Sequence, residues 1–158
     1  MSAKAVDHST ITVERLLPAR PKHAFRFWSE ADLKRRWNDC HPDWFVLEDM
    51  FEFRIGGAET KRWRMPDGVE LAFRARYIDI IPERRIIYAF DMSFGGSLMS
   101  ASLATIELAP NVDGTRMLFT EQIAFLGDSE AKRQRSLGTE SGFDRLAEVI
   151  AMETAVVH

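Results

Sequence analysis

Residues 104–152 read ATIELAPNVDGTRMLFTEQIAFLGDSEAKRQRSLGTESGFDRLAEVIAM, and this stretch decides the fold. It opens with a strand that closes on Pro110-Asn111-Val112-Asp113-Gly114, a run of turn formers that marks a hairpin. On the return strand, Met117, Phe119, Glu121 and Ile123 alternate with Arg116, Leu118, Thr120 and Gln122, so one face is mostly apolar. After Gly127-Asp128 the period changes from two to that of a helix, which runs from about Ser129 to Met152. Leu137, Phe143, Leu146, Ala147 and Ile150 form its apolar stripe, with Arg, Glu and Asp opposite.

Upstream lies a strand meander. Trp44, Val46, Phe51, Phe53 and Ile55 indicate two strands, and Gly56-Gly57 a bend or bulge. Trp63 and Met65 lie on a strand reaching Pro66-Asp67-Gly68, a hairpin signal. The return strand carries Val69, Leu71, Phe73, Ala75 and Tyr77 in alternation. Pro82-Glu83-Arg84 turns the chain into Ile86, Tyr88, Phe90 and Met92. Gly95-Gly96 then leads to Leu98, Ala104, Ile106 and Leu108. Before the meander, Ile11, Val13, Arg15 and Leu17 suit a strand over residues 10–17. Pro21 begins a short helix presenting Ala24, Phe25, Phe27 and Trp28. Ser29 is placed to cap a second short helix, with Asp32 completing the pattern and Leu33 and Trp37 on its apolar side.

A sheet with one apolar face has to bury it against another layer. One helix is narrower than such a sheet, so the sheet is expected to curl around the helix and leave space between them. The fold class is therefore α+β. It is a curved antiparallel sheet of six to seven strands wrapped around a long C-terminal helix, with two short helices after the first strand. Gly138 and Gly142 sit four apart near the apolar side of that helix, where each costs roughly 1 kcal/mol relative to alanine. Either a strand backbone or a ligand approaches them closely.

The 158 residues suit one domain, with its core over about residues 10–151. A formal net charge of -3 argues against a general nucleic-acid binder. The basic runs Lys34-Arg35-Arg36 and Lys61-Arg62-Trp63-Arg64 read as a solvated helix face and a sheet surface. No apolar run approaches the ~20 residues of a membrane span, and residues 1–10 lack the apolar core of a secretory signal. Cys40 is the lone cysteine, so no intramolecular disulfide can form, and a reducing cytoplasmic compartment is expected.

The segments Ala24-Phe25-Arg26-Phe27-Trp28, Leu33 to Trp37, Gly56-Gly57, Tyr77 to Tyr88, Ser102 to Glu107 and Gly114 to Asp128 occur in an order that resembles one family. The chain resembles the activator of heat-shock protein 90 ATPase homologue-like family in its bacterial stand-alone form. That family belongs to the SRPBCC superfamily of START and pollen-allergen helix-grip folds. The resemblance spans about residues 10–151. It implies a helix-grip fold with a cavity between sheet and helix, in a superfamily whose members bind lipids, sterols or polyketides and in some cases act as cyclases or hydrolases. It also implies a chaperone-regulating role as an alternative, disfavoured because the name-giving activator works with an additional N-terminal domain. After the second helix the chain reads Trp37-Asn38-Asp39-Cys40-His41-Pro42, departing from the family's common tryptophan pair and Gly-Pro.

The expected function is binding of a small apolar or amphipathic molecule, with acid–base catalysis in the same cavity as the alternative. The ligand-binding residues expected are Trp37, Trp44, Phe53, Trp63, Phe73, Tyr88, Met117, Phe119, Glu121 and Phe143, because ligand pockets are mostly apolar with few polar groups. Glu121 faces inward on strict alternation. It is either a polar anchor or base in the pocket, or a structural ion pair with an arginine. Cys40 beside His41 lacks an orienting third group and reads as an ordinary loop pair. The histidines His8, His23, His41 and His158 have no metal-ligand spacing. No catalytic motif, metal or cofactor is implied, and a homodimer is left open.

Overall fold

The two strands of the opening stretch pair along their full length, Ser100 opposite Phe125 and Asn111 opposite Gly114. The computed structural model describes residues 5–39, 41–127 and 130–157, with side chains through Glu153. The elements are β1 (Val6–Leu17), α1 (Pro21–Ser29), α2 (Ala31–Trp37), β2 (Phe45–Phe51), β3 (Ala58–Arg64), β4 (Glu70–Ile81), β5 (Arg85–Phe94), β6 (Ser97–Asn111), β7 (Gly114–Leu126) and α3 (Ala131–Val157). One seven-stranded antiparallel sheet has the order β1-β7-β6-β5-β4-β3-β2. It is an α+β helix-grip fold, as expected, with β1 beginning earlier and α3 ending later than their periodicity indicated.

Alternation sets the two faces of the sheet. On β7 the inward residues Met117, Phe119, Glu121, Ile123 and Phe125 are buried, while Arg116 and Gln122 are exposed. On β6 the inward set is Ser100, Ser102, Ala104, Ile106 and Leu108. From α3, Phe143, Leu146, Val149 and Ile150 enter the same core. Burial of each such side chain contributes roughly 1.5–3 kcal/mol. Phe143 meets Phe119 edge-on with ring centroids 4.9 Å apart, and Arg15, on the inward side of β1, pairs with Asp144 of α3 at 2.9 Å.

Glycine is required where the chain closes tightly. A Cβ on Gly114 would come within 2.1 Å of the Leu17 carbonyl oxygen, so the β6–β7 turn can press against the end of β1 only without a side chain. At Gly57 an added Cβ would lie 2.2 Å from the Glu52 carbonyl oxygen.

Four local expectations are corrected. Residues 44–55 hold one strand, β2, rather than two. Phe53 and Ile55 lie in an irregular segment whose Gly56 N–H donates to the Tyr77 carbonyl at 2.8 Å, while the Tyr77 N–H donates to Gly57 at 2.9 Å. Ser29 ends α1 instead of capping α2, because Glu30 serves as both the C-cap of α1 and the N-cap of α2, without a side-chain cap bond. Leu137 is exposed, because the inward stripe of α3 runs through Gln134, Arg135, Gly138 and Gly142 and Leu137 lies off it. The basic runs are not wholly solvated: Lys34 and Lys61 are buried, drawn in by Glu59. The expected helix start at Ser129 lies outside the described residues, as do Cys40 and His158. No described helix is long and apolar enough to cross a membrane.

Candidate ligand cavity

Between α2, the inner face of the sheet and the first turns of α3 lies a cavity of about 430 Å³. Trp28, Trp37, Phe73, Phe90, Phe119, Phe125 and Phe143 supply its aromatic wall, and Met92 and Met99 extend it along β5 and β6. Gln134, Arg135, Gly138, Thr139 and Gly142 line the helix side. Gly138 is exposed at the rim and Gly142 half-buried, and a Cβ built on either meets nothing within 4 Å. No strand backbone approaches these glycines, contrary to one of the two expectations for them. They keep the helix wall low beside the cavity. A depression of about 490 Å³ on the outward face, lined by exposed Arg84, Arg85, Glu107 and Arg116, lacks such an aromatic wall.

Glu121 reaches this space from β7. Its Oε2 accepts from Ser102 Oγ at 2.7 Å and from Arg135 Nη1 at 2.6 Å. Arg135 Nη2 donates onward to Ser100 Oγ at 2.6 Å. The guanidinium lies 5.8 Å from the Phe90 ring centre and 5.4 Å from that of Phe125, within cation–π range. The two serines are small inward residues on β6 that leave room for the pair. Glu121 is thus an ion-paired residue that also borders the cavity.

Tyr88 borders it too, packed against Tyr77 and Phe90 at 5.8 and 5.6 Å. Burial pushes its phenol far above the ordinary tyrosine range, and the nearby Glu121 carboxylate pushes the same way. Tyr88 therefore remains a protonated hydrogen-bond donor.

A second polar cluster, not anticipated from the sequence, lies under α2. Lys34 Nζ donates to Glu59 Oε1 at 2.6 Å and lies 3.2 Å from the Tyr77 hydroxyl, which itself donates to Glu59 Oε1 at 2.8 Å. Burial lowers the Lys34 ammonium pKa, with Glu59 opposing the shift. Lys61 Nζ donates to the Asn38 carbonyl at 3.0 Å. The inward positions of β3 are therefore charged, which a search for apolar alternation passes over. The usable signal was Glu59 and Lys61 two apart beside apolar strands.

Of the expected ligand-binding residues, Trp37, Phe73, Tyr88, Phe119, Glu121 and Phe143 line the cavity. The others lie elsewhere. Met117 is fully buried in the core. Phe53 packs on Phe25, Phe51 and Tyr77, and Trp44 contacts His41 and Trp63 at 6.1 and 6.3 Å. Trp28, Phe90, Met92 and Arg135 are cavity residues outside the expected set. Arg135 had no signal of its own, since its partner lies on another element. Among the described residues, no three of His, Cys, Asp and Glu are grouped as metal ligands would be.

The model of one family, described as activator of Hsp90 ATPase homolog 1-like protein, matches residues 18–151. The chain belongs to this family. Within the solved structures, a putative uncharacterized protein from Rhizobium leguminosarum is 39% identical, with 96% of this chain and 99% of that one covered and a TM-score of 0.89. A Rhizobium loti protein is 38% identical over 91% of this chain and 98% of its own, with a TM-score of 0.84. An AHSA1-like protein from Aeromonas hydrophila, 18% identical with a TM-score of 0.67, covers 95% of this chain and 96% of that one and shares the fold. No curated protein matches significantly.

Proposed function

We propose that this family member binds a small apolar or amphipathic molecule in the cavity between sheet and α3. Tyr88 and the Glu121–Arg135 pair would meet the polar end of that molecule, and the aromatic wall would take the rest. The observation that carries this reading is the pair of glycines on the cavity side of α3. Each forgoes about 1 kcal/mol of helix stability, yet neither is required by a close neighbour. The volume of about 430 Å³ also falls within the ~300–1,000 Å³ of small-molecule sites.

Titration with Nile red, a neutral dye that brightens in apolar surroundings, tests the reading. Saturable binding is expected in the natural protein and its loss in Gly142→Trp, which fills the cavity from the helix side. Native mass spectrometry of the purified protein would reveal a retained molecule. Absence of binding in the natural protein, or unchanged binding in Gly142→Trp with the fold intact, would overturn it.

Acid–base catalysis in the same cavity is a second reading, favoured by burial that drives the Lys34 and Tyr88 pKa values in opposite directions. It predicts turnover that falls in Tyr88→Phe. Chaperone regulation rests on the family's name alone, and stimulation of a purified chaperone ATPase would test it.

A further inference from the structure

We propose that the cavity selects an electrically neutral ligand carrying a hydrogen-bond-accepting oxygen and rejects organic anions of the same size and shape. This deepens the ligand-binding reading and rests on it. The ionisable side chains lining the cavity are Lys34, Tyr88, Glu121 and Arg135. Each charged member already has a counter-charge in hydrogen-bond contact. Lys34 holds Glu59, and Glu121 holds Arg135, both at 2.6 Å. Arg135 is further committed to Ser100 and lies over two phenylalanine rings.

A carboxylate entering this space has two routes. It can give up its hydration beside aromatic walls without a counter-ion, or it can draw Arg135 away and leave Glu121 unpaired. Both routes strand a buried charge, which is the costly outcome for any ion pair. An amine meets the mirror image of the same problem. Among the ionisable lining groups Tyr88 differs, because it is uncharged and its hydroxyl makes no hydrogen bond within the described residues. An O–H that keeps its proton donates to a carbonyl or hydroxyl oxygen without altering the charge balance. The walls thus set a size, the two ion pairs set a net charge of zero, and Tyr88 offers a neutral donor beside them.

Three naphthalenes of matched substitution pattern separate these contributions: naphthyl methyl ketone, naphthoate and ethylnaphthalene. The ketone and naphthoate share a shape and differ in charge, and ethylnaphthalene keeps the ring and a short alkyl group without the acceptor oxygen. By equilibrium dialysis at neutral pH, the ketone is expected to bind about tenfold or more tightly than naphthoate. Ethylnaphthalene should fall between them, and Tyr88→Phe should erase the ketone's advantage over it. Glu121→Gln frees Arg135 of its counter-charge, so naphthoate should gain about tenfold over the natural protein. If that variant does not fold, the ratio of ketone to naphthoate in the natural protein decides alone. Equal binding of naphthoate and ketone would overturn the neutral-ligand inference and leave the ligand-binding reading intact. Failure of all three probes to bind would overturn both.

Discussion

Two buried ion pairs tie helices to the sheet, and they are built differently. Glu121 of β7 meets Arg135 of α3 at the cavity wall, where two serines complete the hydrogen bonding and the arginine side chain keeps 14% of its exposure. Glu59 of β3 meets Lys34 of α2 beneath that helix, with side-chain exposures of 2% and 8%. There the ammonium lies 4.9 Å from the Phe51 ring centre. Glu59 Oε2 has no hydrogen bond, and Lys61 stands 3.9 Å from it. A buried pair is stable only while both partners are present. The pair under α2 is therefore read as a tie that holds the helix down. The pair at the wall tolerates more change, because its arginine keeps part of its exposure and Ser102 also bonds its carboxylate, and its chief effect falls on what the cavity can hold.

The largest expected effect comes from breaking the tie under α2. Glu59→Leu or Lys34→Met alone should lower unfolding free energy by about 3–5 kcal/mol, and the double variant should recover most of that loss. Urea denaturation of the four proteins checks it; a double variant whose loss equals the sum of the two single losses would show that the two residues act separately. Arg135→Met at the wall should cost less, about 1–3 kcal/mol, since the Ser102 hydroxyl still donates to Glu121 Oε2. A loss exceeding that of Glu59→Leu would reverse the comparison.

Gly142→Ala sharpens it from the helix side. With nothing within 4 Å of the new Cβ, stability should rise by up to about 1 kcal/mol. A fall in the thermal midpoint would mean that the wall is closed rather than open. The smallest expected effect is read from the tyrosines, of which the chain has two. Tyr77 abuts Glu59 and Tyr88 senses Glu121, and burial, followed by those carboxylates, raises both phenols above their ordinary 10.0. The folded state then holds more protons than the unfolded one above pH 10, so stability present below that value is lost as pH climbs. Lys34, lowered below 10.5, contributes in the opposite sense up to that pH and not beyond. Tyrosinate absorbance should accordingly emerge in one cooperative step together with unfolding. Gradual ionisation near pH 10 in the folded protein would contradict the burial of both rings.

The difference between the two pairs is also a difference in legibility. Glu121 interrupts an otherwise apolar alternation, so its inward position could be read from β7 alone. Its partner could not, because Arg135 resembles any solvated arginine on a helix until the helix is laid across the sheet. Glu59 and Lys61 alternate as a buried strand does, but with charged side chains, and charge on a strand ordinarily signals solvent. Leu137 shows the converse, since an apolar residue of the helix stays exposed when it lies off the stripe that faces the sheet. Phe53 kept an apolar spacing after the strand had ended at Phe51, because Gly57 turns the chain back on Glu52.

Sequence alone determined the order of the principal strands, the hairpins at Pro66-Asp67-Gly68 and Pro110 to Gly114, and the long closing helix. Those depend on local period and turn chemistry, which neighbouring residues carry between them. Tertiary structure alone decided which side chains border the cavity, which charges cancel, and that Gly138 and Gly142 face open space. Those depend on distances between residues far apart in the chain, such as Lys34 to Glu59 and Ser100 to Arg135. A periodic pattern states which way a side chain points but not what it meets there.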